Sequence, residues 1–570
     1  MIQKQKTIFH NLVESVNNQE NLHIERNIEE YNRLTFKEYK SEHGGLYGVK
    51  PNKIENNILS FFTEVEPRKN NVFLNNTVLI DYRKNTSNTK FRPVTAKVVD
   101  IGSNYIDARI LEDNNKDSIQ NLKYTFNSRN STVKIVPLLN HTPFNRQKEA
   151  INIVKESDTK RKTVEGLHEP NVQNDSNLDL DFKNLNQKQK KAAINALNED
   201  IAYLIHGPPG TGKTRTLIEI IRHIVRNNKR VLVCAHSNQA VDNIVMGSSS
   251  LQNTDSNSLH YDGIFNNMKI SRVGDGSKNN LVKANYGNVN PANSDVVATT
   301  INCASKFDIN SFDVAIVDEA SQATMESTFI PFSVSKKIIL AGDHKQLPPY
   351  NISKSENKIS LFEHFVELYG DNIKTTLQKQ YRMNQKIARF SSKTFYDDML
   401  TSAEENREWT VNNLNPIIGI ESTGKEEKTT GNSYVNKEES TIITNEINSL
   451  IEKGVKPENI GVITPYSGQV NFIKDKIKEN NKKTSNIKVD TIDSFQGSER
   501  DVILVSFVRS NNTGEIGFLN SKEGDRRLNV ALTRAKKRLV LVGNWSTLKS
   551  SNTYSSLYYE LKKLGVIENK

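Results

Sequence analysis

The chain has 570 residues, with 77 Lys and Arg against 66 Asp and Glu and a formal charge of +11; that length allows about two to four domains, and the basic balance suits a polyanionic partner such as nucleic acid without requiring one. Its two cysteines, Cys234 and Cys303, exclude a disulfide framework, a cysteine-rich zinc site and an iron–sulfur cluster, and fit a reducing cytoplasm. No run of about 18 apolar residues exists to cross a membrane, and the first residues lack the apolar core of a signal peptide, so a cytoplasmic protein free of membranes is expected.

Residues 1–68 are polar and read as helical segments with loops. In 69–140 the texture changes: VFLNNTVLIDYR, VTAKVVDIG, YIDARIL and TVKIVPL are short β-rich runs separated by Asn, Ser and Gly. They predict a small antiparallel barrel, which serves equally well as a structural module or a nucleic-acid-binding one. Within 141–181, HTPFNRQKEAINIVKES reads as a helix and DTKRKTVEGLHEPNVQNDSNLD as a linker or exposed loop. Residues 182–352 alternate buried-type strands with helices (IAYLIHG, TRTLIEIIRHIV, RVLVCAHS, DVAIVDEA, KKIILAGD), the pattern of a parallel sheet. Ser, Asn and Gly dominate 247–293, which reads as inserted loops. A second α/β set, 353–570, contains ENIGVITPY, IKVDTIDS, DVILVSFVRS and KRLVLVGN.

The stretch HGPPGTGKT, 206–214, matches G-x-x-x-x-G-K-[ST] between the strand AYLIH and the helix TRTLIEIIRHIV. The glycines let backbone N–H groups face phosphates, and the helix start adds partial positive charge. Gly207, Gly210, Thr211, Gly212, Lys213, Thr214 and Arg215 form the candidate cradle, with Lys213 on the β- and γ-phosphates and Thr214 on Mg²⁺. A second strand, VAIV, ends in Asp318 and Glu319. Asp318 suits the Mg²⁺ shell and Glu319 the polarisation of an attacking water. An acidic pair at a strand end is commonplace alone; joined to the cradle it marks an ATPase or GTPase. No N-K-x-D stands in the context that reads guanine, which favours ATP.

Further stretches carry a resemblance. LNQKQKKAAINAL, VCAHSNQAVDNIV, ATTINCAS, VDEASQ, AGDHKQLPP, LQKQYRMNQKIARF, GVITPYSGQV, VDTIDSFQGSERDVILVSFVRS and RRLNVALTRAKKRLVLVG follow one another over about residues 182–545. In kind and order they resemble the motifs of superfamily 1 helicases, of the 5′→3′ branch that includes the nonsense-mediated-decay helicase. The resemblance implies two tandem RecA-like P-loop domains with an N-terminal helical stalk and a small antiparallel β-barrel. It also implies ATP and Mg²⁺ as cofactors, and single-stranded DNA or RNA and tailed duplexes as partners of a monomeric core.

By the same resemblance, Gln189 reads adenine and Tyr381 stacks on it. Arg382 and Arg534 reach the γ-phosphate as in-chain arginine fingers, Gln346 senses that phosphate, and Glu499 faces the nucleotide. Ser237, Asn238, Thr300, Pro465, Tyr466, Ser467 and Thr491 match positions that touch the strand's backbone. Such contacts carry no sequence information, so binding is expected to be sequence-tolerant and salt-dependent. Two cysteines cannot build the decay helicase's zinc domain or the four-cysteine cluster of nuclease-bearing relatives. The expected activity is a helicase or translocase. A remodeller that strips proteins from nucleic acid, or an ATP-gated clamp, uses the same motifs.

Overall fold

The computed structural model describes residues 7–83, 92–112, 114–128, 131–169, 182, 184–247, 254–350, 359–429, 433–480 and 486–569. The chain divides into two compact units, Met1–Arg161 with Asn351–Asn357, and Lys162–Tyr350 with Lys358–Lys570.

In the first unit, the long helix Ile8–Arg33 packs along the helix Thr142–Glu156. Their polar seam centres on buried Glu20, whose carboxylate binds His141 Nδ1 at 2.7 Å and the Lys148 ammonium. Six antiparallel strands close into a barrel: β1 (Leu46–Glu55), β2 (Ile58–Phe62), β3 (Thr77–Asp81), β4 (Val94–Ile101), β5 (Tyr105–Ile110) and β6 (Val133–Leu139), in the order β1-β2-β5-β4-β3-β6. Alternate residues such as Val49, Phe61, Val78, Val98, Ile106 and Ile135 fill it. The barrel therefore begins well inside 1–68, which sequence had read as helices and loops. The two early strands escaped because β1 carries Gly48 and Pro51, and a register shift between Pro51 and Lys53 breaks its period-two pattern. A helix, Asp158–Val164, also occupies the start of the stretch read as linker; 170–181 of that stretch lies outside the described residues.

The second unit holds two parallel sheets. The first contains β7 (Ala202–His206), β8 (Val231–Ala235), β9 (Ile270–Val273), β10 (Val296–Thr300), β11 (Phe312–Asp318), β12 (Ser335–Gly342) and β13 (Lys374–Thr376), in the order β13-β7-β12-β11-β8-β10-β9. Two expectations change here. The boundary at 352/353 falls too early, because polar β13 pairs with β7 and belongs to the first sheet. The stretch 247–293 is not all loop: it supplies edge strand β9 and the helices Leu259–Phe265 and Asn280–Tyr286. Its Ser and Asn content reflects capping, since Ser258 accepts from the Tyr261 N–H and Asn279 from the N–H groups of Leu281 and Val282.

Two short ribbons follow, β14 (Lys379–Gln380) with β15 (Thr401–Ser402), and β17 (Glu426–Lys428) with β18 (Tyr434–Asn436). The second sheet contains β16 (Ile417–Glu421), β19 (Ile460–Thr464), β20 (Lys488–Thr491), β21 (Arg500–Ser506), β22 (Ala535–Gly543) and β23 (Ile567–Asn569), in the order β20-β19-β21-β22-β16-β23. Apolar clusters line both of its faces, one around Phe507 and Trp545, the other around Ile443 and Leu504. That double burial explains why its strands read as continuous apolar runs.

Candidate nucleotide cleft and nucleic-acid edge

The wholly buried strand β7 ends at His206, and the helix Lys213–Arg226 begins seven positions on, with the cradle loop between. Gly210 has φ 73°, and a Cβ there would stand 2.6 Å from the Arg382 Cβ. Only glycine allows the loop this conformation and this closeness to the second lobe. Lys213 Nζ lies 3.3 Å from Glu319 Oε1. Burial works against its charge, yet the carboxylates of Glu319, Asp318 and Asp343 hold its pKa above the ordinary lysine value. Thr214 Oγ1 donates to Asp318 Oδ2 at 3.5 Å. Burial, and then the Glu319 charge, push the Asp318 carboxyl up to about 6. Glu319 sits at φ 53°, a left-handed conformation uncommon for any residue but glycine and asparagine. Its Oε2 accepts from Gln322 Nε2 at 3.0 Å, so the carboxylate is anchored on both oxygens.

Across the cleft, Arg382 Nε lies 2.5 Å and Lys536 Nζ 2.9 Å from the carboxylate of Glu499. Burial alone would raise Glu499; the two cations overcome it and hold the group down to about 2. Arg534 is 2% exposed. Burial, with the nearby Arg382 charge, lowers it to about 9, so it stays cationic at neutral pH. Its Nε donates to the Val530 carbonyl at 3.0 Å, and its Nη2 to Gln346 Oε1 at 2.9 Å. Gln346 in turn donates through Nε2 to Asp343 Oδ2 at 2.7 Å. Asp343 also accepts from the Tyr396 hydroxyl at 2.6 Å and meets His206 Nε2 at 3.1 Å. A continuous hydrogen-bonded chain thus runs from the end of β7 to the second lobe's arginine.

The loop, the acidic pair, Gln346, Tyr381, Glu499 and both arginines line one cleft of about 410 Å³. Trp409 and Lys536 line it too, and sequence reading missed them. Lys536 had a signal, two positions after Arg534 in the same motif; Trp409 had none. Three expected nucleotide contacts lie outside the lining: Gly207, where the cradle loop leaves β7, Gln189 and Arg215. Gln189 is buried, its Oε1 accepting from Asn186 N–H at 2.9 Å and its Nε2 donating to the Thr211 carbonyl at 2.9 Å. These bonds make it a brace between a helix cap and the loop. Arg215 Nε is engaged by Asn257 Oδ1 at 2.8 Å. The Tyr381 hydroxyl accepts from Asn186 Nδ2 at 2.9 Å, which fixes the ring at the cleft. The donor set suits a triphosphate with a divalent cation: backbone N–H groups, a lysine and two arginines for the phosphates, and a hydroxyl converging on a carboxylate for the metal.

The expected strand contacts share a different position. Ser237 and Asn238 follow β8, Thr300 ends β10, Pro465, Tyr466 and Ser467 follow β19, and Thr491 ends β20. All stand at the carboxyl ends of parallel strands, where open α/β sheets bind ligands. Ser237 and Ser467 are exposed, whereas Asn238 Oδ1 is engaged by Arg272 Nη2 at 2.7 Å. Thr491 caps the turn that follows it, accepting from Ser494 N–H.

Known proteins are similar to this chain in sequence. The AAA domain family matches residues 184–289 and 290–354, and again 357–546. The DNA polymerase alpha-associated DNA helicase A of Schizosaccharomyces pombe is 34% identical over 74% of this chain and 74% of its own length. An uncharacterized ATP-dependent helicase of Methanocaldococcus jannaschii is 30% identical over 81% of this chain and 82% of its own. The chain belongs to the superfamily 1B helicases. The ATP-dependent helicase NAM7 of Saccharomyces cerevisiae is 34% identical over 68% of this chain but 44% of its own length. This helicase is accordingly an ATP-dependent hydrolase acting on nucleic acid. Among its described residues, no helix is long and apolar enough to cross a membrane.

Proposed function

We propose that the helicase walks 5′→3′ along single-stranded DNA or RNA and separates tailed duplexes, using ATP with Mg²⁺, as a cytoplasmic monomer. The observation that carries this reading is the convergence of Arg382 and Arg534 from the second lobe on the cradle and Glu319 of the first. Nucleotide bound there ties the lobes together, and hydrolysis loosens them. Lys213 takes the β- and γ-phosphates, and Thr214 with Asp318 holds Mg²⁺, which withdraws charge from the phosphates when bound. Glu319 orients water and accepts its proton. Arg382 and Arg534 stabilise charge gathering on the γ-phosphate, Gln346 relays its loss through Asp343, and Tyr381 stacks on the adenine. Gln189, held beside the cradle by its bonds to Asn186 and Thr211, reads the adenine. Lobe movement reaches the strand through Ser237, Asn238, Thr300, Pro465, Tyr466, Ser467 and Thr491.

The test is steady-state ATPase without polymer, with single-stranded DNA, and with RNA of the same sequence. Strong stimulation by either polymer supports a motor and names its track; no stimulation by either overturns it. Duplexes with a 5′ or a 3′ tail then report polarity, and unwinding only of the 3′-tailed substrate would reverse the direction proposed.

A further inference from the structure

Beside the Pro465–Ser467 corner lies a second cavity, of about 460 Å³, with three aromatic rings, Tyr434, Tyr466 and Phe518, in its wall. Tyr466 is at its centre. The Tyr434 ring stands 5.4 Å from it at 67°, and the Phe518 ring 5.1 Å from it at 66°. Two rings from distant segments, ribbon strand β18 and the turn Gly517–Leu519, thus rise steeply from one central ring. An arginine backs each of them: the Arg509 guanidinium lies 4.5 Å from the Tyr434 centroid, and that of Arg527 lies 5.3 Å from the Phe518 centroid. Neither ring is sealed by its arginine: Tyr434 is half-buried and Phe518 exposed.

The rest of the cavity is built to hold those rings still. Arg509 is 5% exposed, fixed by two bonds to Glu426, at 2.9 and 3.0 Å, and one to the Tyr466 hydroxyl at 3.3 Å. Gly517, at φ 60°, lets the turn come so close that a Cβ there would meet Arg509 Nη1 at 2.6 Å. Phe518 is nevertheless left 41% exposed. A flat ligand with π-faces and nearby negative charge matches flat walls, cationic backing and an exposed serine, Ser467, at the rim.

We propose that Tyr434 and Phe518 form a slot that grips one unpaired nucleobase of the bound strand. The proposal rests on the single-strand reading above. Stacking uses the face that every base shares, so the slot reads no sequence. It gives the second lobe a grip on a base in addition to the phosphate contacts.

The experiment places the fluorescent base 2-aminopurine at each position of a short single strand in turn and titrates the full chain. One position should change strongly on binding. Phe518→Ala should erase that signal and weaken binding about tenfold, while Phe518→Trp should keep affinity. An abasic site at the same position should weaken wild-type binding by a similar factor and cost Phe518→Ala nothing further. Matching circular dichroism would show that the variant folds, as expected for an exposed ring. Binding by the wild type with no position-specific signal, or equal losses from an abasic site in wild type and variant, overturns the slot alone. A wild type that binds no single strand overturns the track reading itself.

Discussion

Glu439 is a fully buried carboxyl at the start of the helix Lys437–Glu452, and it fixes the corner after β21. It accepts from the Ser506 hydroxyl at 2.6 Å and from the Val508 N–H at 2.9 Å. Val508 has φ 72°, and Arg509 N–H donates back to the Phe507 carbonyl at 2.8 Å, a γ-turn that a β-branched residue adopts only under constraint. Such a conformation costs about 1–3 kcal/mol; it aims Arg509 beneath Tyr434. Burial pushes the Glu439 carboxyl from 4.5 up to about 8. Between those values the folded chain keeps a proton that the unfolded chain has released. The contribution to stability is therefore full below 4.5 and is lost as pH rises through about 8. Glu439→Gln should flatten that slope: between about pH 5 and pH 8.5 its Tm should fall less than the wild type's. At the cleft, Glu319→Gln keeps the shape of the side chain and removes the base. Nucleotide binding should survive while turnover falls at least about a hundredfold, measured by fluorescent-nucleotide titration alongside steady-state ATPase.

At the scale of elements, the cradle loop is shaped by what it faces as well as by what it binds. Gly210→Ala would force a methyl group towards the Arg382 Cβ and strain a left-handed residue. A cost of about 1.4 kcal/mol corresponds to tenfold, so nucleotide affinity should drop about tenfold or more, with an unchanged far-ultraviolet spectrum showing that the fold persists. The cradle and the acidic pair are legible in sequence because each is local, set at the end of a buried strand; the arginine-bearing segments are placed only by their resemblance to helicase motifs. The misses were elements defined by partners far away. Strand β13 is three polar residues, Lys-Thr-Thr, that become a strand only by lying against β7. Strand β9 is Ile-Ser-Arg-Val, whose Arg272 is buried against Asp242 at 3.0 Å. Trp409 and the Tyr434–Tyr466–Phe518 group are gathered from segments tens of residues apart, and no spacing within one segment announces them.

At the scale of the molecule, the second unit works through the contact between its two lobes. The path from His206 through Asp343 and Gln346 reaches Arg534 by one side-chain hydrogen bond between the lobes, beside the Asp343–Tyr396 bond. Arg534→Ala removes the bond to Gln346 and, in the mechanism proposed above, a γ-phosphate cation with it. Turnover should fall about a thousandfold, while strand affinity without nucleotide stays near the wild-type value; an equal loss in both would make Arg534 a structural residue. Strand affinity should also fall steadily as salt rises, since each phosphate neutralised releases a counterion.

The pairing of Lys213 with Glu319 has a consequence for fuel economy. In the mechanism proposed above, the base that activates water and the lysine that meets the phosphates are bound to each other. An incoming γ-phosphate must capture the lysine before the carboxylate is released to its own task. The fuel thereby unlocks its own ignition, and a chain waiting for ATP keeps its base engaged and out of play.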